Sequence, residues 1–370
     1  MPQDPIFVTQ PAMPPLAEFL PYLEEIWSSR ILTNVGPMHD RLETALRGRL
    51  GVDHISLFAN GTMALATAIR ALGLRGEVIT TPYSFVATTH ALAWAGLDPV
   101  FVDIDRHTLT LDPARIEEAV TPRTSAILAV HCYGMPCDTA AIGRIAAAHR
   151  LRVIYDAAHA FGVRTATGNL LAHGDCTVLS FHATKVFTTF EGGALVTHDA
   201  ATKGLVDRLR NHGFVDEVTV TETGCNGKLS EIAAAFGLLQ LRHLDAALGR
   251  RADVDRRYRA GLAGVAGIEC AAAGAMAGSN HSYFPILVGD DYPLDRDALH
   301  HHLKAHGIHG RRYFHPLISA FPMYRTLPSA APARLPVAGD VSARVLCLPI
   351  HADLPAAAVD RIVALIADPG

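Results

Sequence analysis

Between residues 50 and 200, short β-branched runs alternate with alanine-rich helical segments, and that alternation leaves few folds open. Strands that follow one another through helices pair in parallel, and a parallel sheet must be covered by helices on both faces. The pattern predicts strands at HISLFA (54–59), EVITTP (77–82), PVFVDID (99–105), SAILAVHCYG (125–134), LRVIYDAA (151–158), TVLSFH (177–182) and GGALVTHD (192–199). Between them it predicts helices at MALATAIRALGL, around VATTHALAWAG, and at DTAAIGRIAAAHR. A further helix is expected at ARIEEAV, where Asp112 and Pro113 stand as N-cap and first-turn proline. Single cores rarely grow past about 250–300 residues, so 370 residues imply two domains. Residues 228–263 carry apolar positions at helical spacing and read as one long or kinked helix leaving the first domain. The expected division is 1–245 for a large α/β domain with a mostly parallel sheet, and 246–370 for a smaller α+β domain with strands at 282–289 and 345–350.

Charge and composition narrow the function classes. The 32 basic and 36 acidic residues leave a net charge of −4, with no run of like charge, so neither nucleic acid nor an anionic membrane is an expected partner. No apolar stretch approaches the roughly 20 residues that span a bilayer, and MPQDPIFVTQPAMPPL lacks the features of a cleavable export signal. Cys132, Cys137, Cys176, Cys225, Cys270 and Cys347 are scattered without zinc-site spacing and read as reduced thiols of a cytoplasmic protein. His300, His301 and His302 are consecutive on a predicted helix, so they point about 100° apart and cannot converge on one ion. No metal is expected. Nor does a GxGxxG follow a strand, and Gly227-Lys228-Leu229 lacks the hydroxyl residue that would complete a P-loop.

In open α/β sheets, ligands collect outside the carboxyl ends of the strands. Asn60-Gly61-Thr62 joins a strand to a helix N-terminus, whose free N–H groups suit a phosphate and equally suit an ordinary cap. Asp156 ends the run VIYD, where a carboxylate is costly to desolvate unless a cationic partner meets it. Lys185 follows TVLSFH in a stretch short of other charges, and a lysine in apolar surroundings sheds its proton and attacks carbonyls. Taken singly, a buried cap and a solvated surface lysine are the ordinary explanations of the last two. Together the three strand ends meet the separate needs of pyridoxal phosphate, which are phosphate, pyridinium and aldehyde.

The segments NGTMAL (60–65), TPYSFVAT (81–88), PVFVDID (99–105), VHCYG (130–134), YDAAHAFG (155–162), SFHATK (180–185) and EGGALVT (191–197) resemble those of the DegT/DnrJ/EryC1/StrS sugar aminotransferases. The likeness runs from about residue 5 to the end. It implies the aspartate-aminotransferase type fold (fold type I) and pyridoxal 5'-phosphate as coenzyme. By motif, Lys185 matches the lysine that carries the coenzyme and Asp156 the partner of its pyridine nitrogen. Gly61, Thr62 and Ser180 match its phosphate-binding residues, and Phe85 the aromatic ring stacked on it. Asn226 matches a residue that reaches the phosphate from the neighbouring subunit, which implies a homodimer with shared sites.

Two departures stand out. The family usually has glutamate at Tyr155, and often glutamine at His159, where an imidazole offers a similar hydrogen bond to the coenzyme's phenolic oxygen. His182, Tyr283, Arg311 and Tyr313 are expected on the substrate side. The resemblance implies transfer of an amino group from L-glutamate, releasing 2-oxoglutarate, to C4 of a nucleotide-linked 4-keto-6-deoxy sugar, dTDP-4-keto-6-deoxyglucose. That product belongs to deoxyamino-sugar or O-antigen biosynthesis. Amination at C3 and a non-catalytic coenzyme-binding regulator are the alternatives. A dehydratase of the same family would carry histidine in place of Lys185.

Overall fold

The computed structural model describes residues 4–166, 168–272 and 276–370. Among them, seven strands build the central sheet: β1 (His54–Phe58), β2 (Glu77–Thr80), β3 (Asp98–Phe101), β4 (Thr124–Val130), β5 (Arg152–Asp156), β6 (Cys176–Ser180) and β7 (Gly193–Thr197). Their spatial order is β1-β7-β6-β5-β4-β2-β3. All neighbours pair in parallel except β7, which is antiparallel to both β1 and β6. The reason is local. A parallel return needs a crossover, usually helical, whereas residues 181–192 form no helix and lead β7 straight back beside β6. That connection carries Lys185 and leaves it at the carboxyl end of the sheet.

The central strands are buried on both faces, which is why β4 and β7 read as unbroken apolar runs. Because β2 lies between β3 and β4, the sheet changes its direction of growth there, and a crevice opens outside the carboxyl ends.

The helix Glu231–Leu262 is continuous, with Ser230 as its N-cap. The Glu231 carboxylate accepts from the N–H groups of Met38 and His39 at 2.7 and 3.0 Å, so the start of one helix caps another. Leu244 of this helix packs in the core of the large sheet, whereas Val254, Tyr258 and Leu262 pack in a second core. The second core surrounds an antiparallel sheet of β8 (Ile268–Cys270), β9 (Phe284–Val288) and β10 (Val345–Leu348), with helices Arg296–Ala305 and Ala356–Ala367 against it.

One expectation needs correction. ARIEEAV is not an α-helix but two short 3-10 turns, Pro113–Arg115 and Glu117–Ala119. Asp112 still caps the first, accepting from the Ala114 N–H at 3.0 Å, but the segment is too short to sustain α-helical turns by itself. Near the chain start, Ile6–Phe7 pair in parallel with Ile308–His309. No helix among the described residues is long and apolar enough to cross a membrane.

Candidate active site

A cleft of about 250 Å³ lies at the carboxyl ends of β1, β4, β5 and β6 and is closed on one side by Tyr283, Tyr313 and Phe314 from the C-terminal part. Its floor is a cradle made by the start of helix Gly61–Ala71. Asn60 Oδ1 accepts from the Met63 N–H at 2.9 Å, which leaves the first-turn N–H groups of Gly61 and Thr62 without an intrahelical acceptor. Space here is tight: a Cβ on Gly61 would meet Ser180 Cβ at 3.2 Å, and one on Gly193 would meet backbone atoms of Asn60 and Gly61 at 2.7 Å. The Glu191-Gly192-Gly193 motif is thereby explained in part. Gly193 lets the cradle loop pass directly over β7.

Asp156 is 5 % exposed, and no Lys or Arg lies within ion-pair distance of it among the described residues. Two neutral donors from the protein reach it: Thr88 Oγ1 to Oδ2 at 2.8 Å and the Ala158 N–H to Oδ1 at 3.0 Å. Burial raises the carboxyl above its ordinary range, while these two donors and the more distant Lys185 charge oppose the rise. Lys185 shows the complementary effect. Burial of its amine lowers the pKa from 10.5 to about 8, with Asp156 and Cys132 opposing. In such a site both groups lean toward their neutral forms.

His159 stands 4.8 Å, ring to ring, from Tyr283. Its Nδ1 accepts from the Tyr133 N–H at 3.1 Å, so a neutral imidazole carries its proton on Nε2. Burial, with the Lys185 charge adding to it, holds His159 well below its ordinary pKa. Tyr133 makes this contact from a left-handed backbone with φ of 56°, an uncommon conformation for a side chain of its size. The departure at Tyr155 does not touch the cleft. Adjacent strand residues point to opposite faces, and Tyr155 stacks on His131 at 4.8 Å while Asp156 faces the site.

Of the residues singled out in the sequence, Gly61, Thr62, Phe85, Asp156, His159, Ser180, His182, Lys185, Tyr283 and Tyr313 all line the one cleft. Phe85 is 58 % exposed, an aromatic face left open at its mouth. His182 Nδ1 lies 2.8 Å from Thr184 Oγ1, and its Nε2 lies 3.5 Å from Glu191. Two residues lie elsewhere. Arg311 is exposed and pairs through its backbone with Cys347, while its neighbour Arg312 is held by Asp297. Asn226 is exposed on a loop bridged to Asn211. Thr88, Thr184 and Glu191 were missed as lining residues, although each stands inside or beside a motif already quoted. Among the described residues no group of three or more His, Cys, Asp or Glu side chains is placed to hold a metal.

The family model described as DegT/DnrJ/EryC1/StrS aminotransferase matches residues 16–367. The chain belongs to this aminotransferase family. It is 54 % identical over 98 % of its length, and 99 % of the relative's, to a protein of Shigella dysenteriae named dTDP-4-amino-4,6-dideoxy-D-glucose transaminase. A protein of the same name from Escherichia coli is 51 % identical over 97 % of both chains. Among solved structures, DesI in the presence of its TDP-sugar product superposes with a TM-score of 0.94 at 37 % identity, covering 99 % of this chain and 93 % of that one. Helicobacter pylori PseC, an aminotransferase of pseudoaminic acid biosynthesis, gives 0.91 at 28 % identity over 98 % of each.

The DegT/DnrJ/EryC1/StrS enzymes depend on pyridoxal phosphate and share fold type I, the architecture found here. The cleft fits that coenzyme. It offers an anion cradle whose glycines admit no Cβ without displacement, a buried carboxyl, an amine easily freed of its proton, and a flat aromatic face.

Proposed function

We propose that this protein transfers the amino group of L-glutamate to C4 of dTDP-4-keto-6-deoxyglucose, giving dTDP-4-amino-4,6-dideoxyglucose. The observation that carries the reading is the convergence of Lys185 and Asp156, from neighbouring strand ends, on one cleft above the Gly61–Thr62 cradle. The sugar rests on the two transaminases more than 50 % identical over nearly the whole chain.

In this reading pyridoxal phosphate supplies an aldehyde for amine exchange and a ring that absorbs charge from the donor's α-carbon. Lys185 would hold it covalently and, when free, would move a proton at the donor's α-carbon, a task matched to an amine whose pKa is about 8. Asp156 would meet the pyridine nitrogen. Its anionic form is sustained there by Thr88 and the Ala158 N–H, together with the positive nitrogen it serves. Gly61, Thr62 and Ser180 would bind the phosphate, Phe85 would cover the ring, and His159, whose Nδ1 accepts from the Tyr133 N–H, would donate its Nε2–H to the phenolic oxygen. His182, Tyr283 and Tyr313 bound the substrate side. Arg311 has a place in the site only if it turns toward a diphosphate at the rim. The split into a coenzyme-binding part through 245 and a smaller part from 246 accords with Leu244 and Val254 lying in separate cores.

A homodimer completes the site by bringing Asn226 of one protomer to the phosphate of the other. Its support is twofold. Asn226 lies exposed outside its own cleft, and helix Leu16–Ser29 exposes Leu16 (70 %), Leu20 (47 %) and Trp27 (70 %), spaced by four and seven residues along one face. Six free thiols and soluble substrates support a cytoplasmic enzyme that supplies deoxyamino sugars for polymers such as O-antigen. The test is glutamate-dependent release of 2-oxoglutarate over a panel of keto-sugar nucleotides. Turnover with dTDP-4-keto-6-deoxyglucose supports the reading, and turnover confined to 3-keto sugars would move the reaction to C3.

A further inference from the structure

Residues 279–283 cross from the smaller domain onto the loop that follows β5, and the side chains of Asn280 and Ser282 bond to that loop. Asn280, 2 % exposed, donates through Nδ2 to the carbonyls of His159 and Phe161 at 2.9 and 3.0 Å. Its Oδ1 accepts from the Ser282 N–H at 3.1 Å, and Ser282 Oγ lies 2.8 Å from the same His159 carbonyl. Room for the crossing comes from Gly134, where a Cβ would sit 3.0 Å from both Asn280 Oδ1 and the His159 carbonyl. The next residue along this strap is Tyr283. Its ring packs between those of Tyr133 and His159, and its hydroxyl stands 3.5 Å from Lys185 Nζ. Among the described residues this phenol is the one side-chain group within hydrogen-bonding distance of that nitrogen.

We propose that Tyr283 is a positioning residue for Lys185: the strap of Asn280 and Ser282 holds its phenol where it accepts a proton of the ammonium and aims the amine into the cleft. The inference rests on the reading of Lys185 as the reactive amine. It goes further in tying that amine to the smaller domain.

The titratable groups facing Lys185 are Asp156 at the end of β5, Cys132 in the turn after β4, His159 in the loop after β5, and Tyr283. Burial, with Tyr313, Cys347 and Cys132 adding and Arg251 opposing, holds the Tyr283 phenol well above its ordinary pKa, so it stays neutral. A neutral phenol bonds more strongly to an ammonium than to an amine. Tyr283 therefore opposes the burial that lowers Lys185, and losing it should lower the amine further.

The test is trace acetylation of the full-length, coenzyme-free protein from about pH 6 to pH 11, with peptide masses reporting each lysine separately. Lys203, held by Glu43 and Asp207, serves as the internal check on folding. In the wild type the Lys185 midpoint should fall near 8. Tyr283→Phe should move it down by roughly one pH unit, and Ser282→Ala should move it the same way by less. A folded Tyr283→Phe protein with an unchanged midpoint overturns the proposal; if that variant unfolds, an unchanged midpoint in Ser282→Ala overturns it instead. A wild-type midpoint near the 10.5 of an ordinary lysine would instead overturn the assignment of Lys185 as the reactive amine.

Discussion

Lys185→Met should stabilise the coenzyme-free protein. Methionine nearly matches the lysine stem in volume and carries no charge to desolvate. The folded-state pKa of Lys185 is lowered from 10.5 to about 8, so folding disfavours its ammonium form. At about 1.4 kcal/mol per pH unit, the gap amounts to about 3 kcal/mol of lost stability. The sign follows from linkage. A lysine whose folded pKa lies below its unfolded pKa destabilises fully below pH 8, and the penalty fades as pH rises toward 10.5. Urea unfolding of both proteins at one fixed concentration should therefore favour the variant by about 3 kcal/mol at pH 7, with the margin shrinking steadily above pH 8. Adding pyridoxal phosphate should reverse the order, because only the wild type can bind it covalently. A margin that does not change between pH 7 and pH 10, or a variant less stable at pH 7, would refute the claim that the amine is held at an energetic cost.

Three further substitutions probe the other walls of the cleft. Asp156→Asn should retain coenzyme but slow turnover by about 10²–10⁴-fold in single-turnover assays, since an amide cannot sustain the ring nitrogen's proton. Thr88→Val removes one of the two neutral donors to Asp156 and should weaken coenzyme affinity about tenfold in an absorbance titration. Gly193→Ala would place a methyl 2.7 Å from the backbone at Asn60 and Gly61; it should displace the cradle and release coenzyme on dialysis, whereas Gly143→Ala, with open space around it, should not.

Much of the seven-stranded sheet was legible because both of its signals are local. Unbroken apolar runs mark strands covered on two faces, and turn residues mark their ends. The residues that line the cleft sit at those ends, so the fold and the site were read from the same pattern. What escaped detection depended on distant partners. The pairing of Ile6–Phe7 needs Ile308–His309, some 300 residues away, and nothing near residue 6 announces it. Thr88 reads as an ordinary helix-start hydroxyl until the fold brings Asp156 to 2.8 Å. Arg311 was expected on the substrate side, but nothing near it in the sequence says which way its loop turns. At ARIEEAV the capping signals were correct, but the segment was too short to make the helix they announced.

The central claim is that one amine, that of Lys185, carries the coenzyme, and the sequence makes this easy to test because it contains just four lysines: Lys185, Lys203, Lys228 and Lys304. Borohydride reduction of the coenzyme-loaded protein fixes the bound group in place, and peptide mass mapping then shows where it sits. The account predicts the pyridoxyl adduct on the peptide containing Lys185 and on none of the other three. An adduct on Lys228 or another lysine, or no adduct on a protein that still turns over, would contradict it.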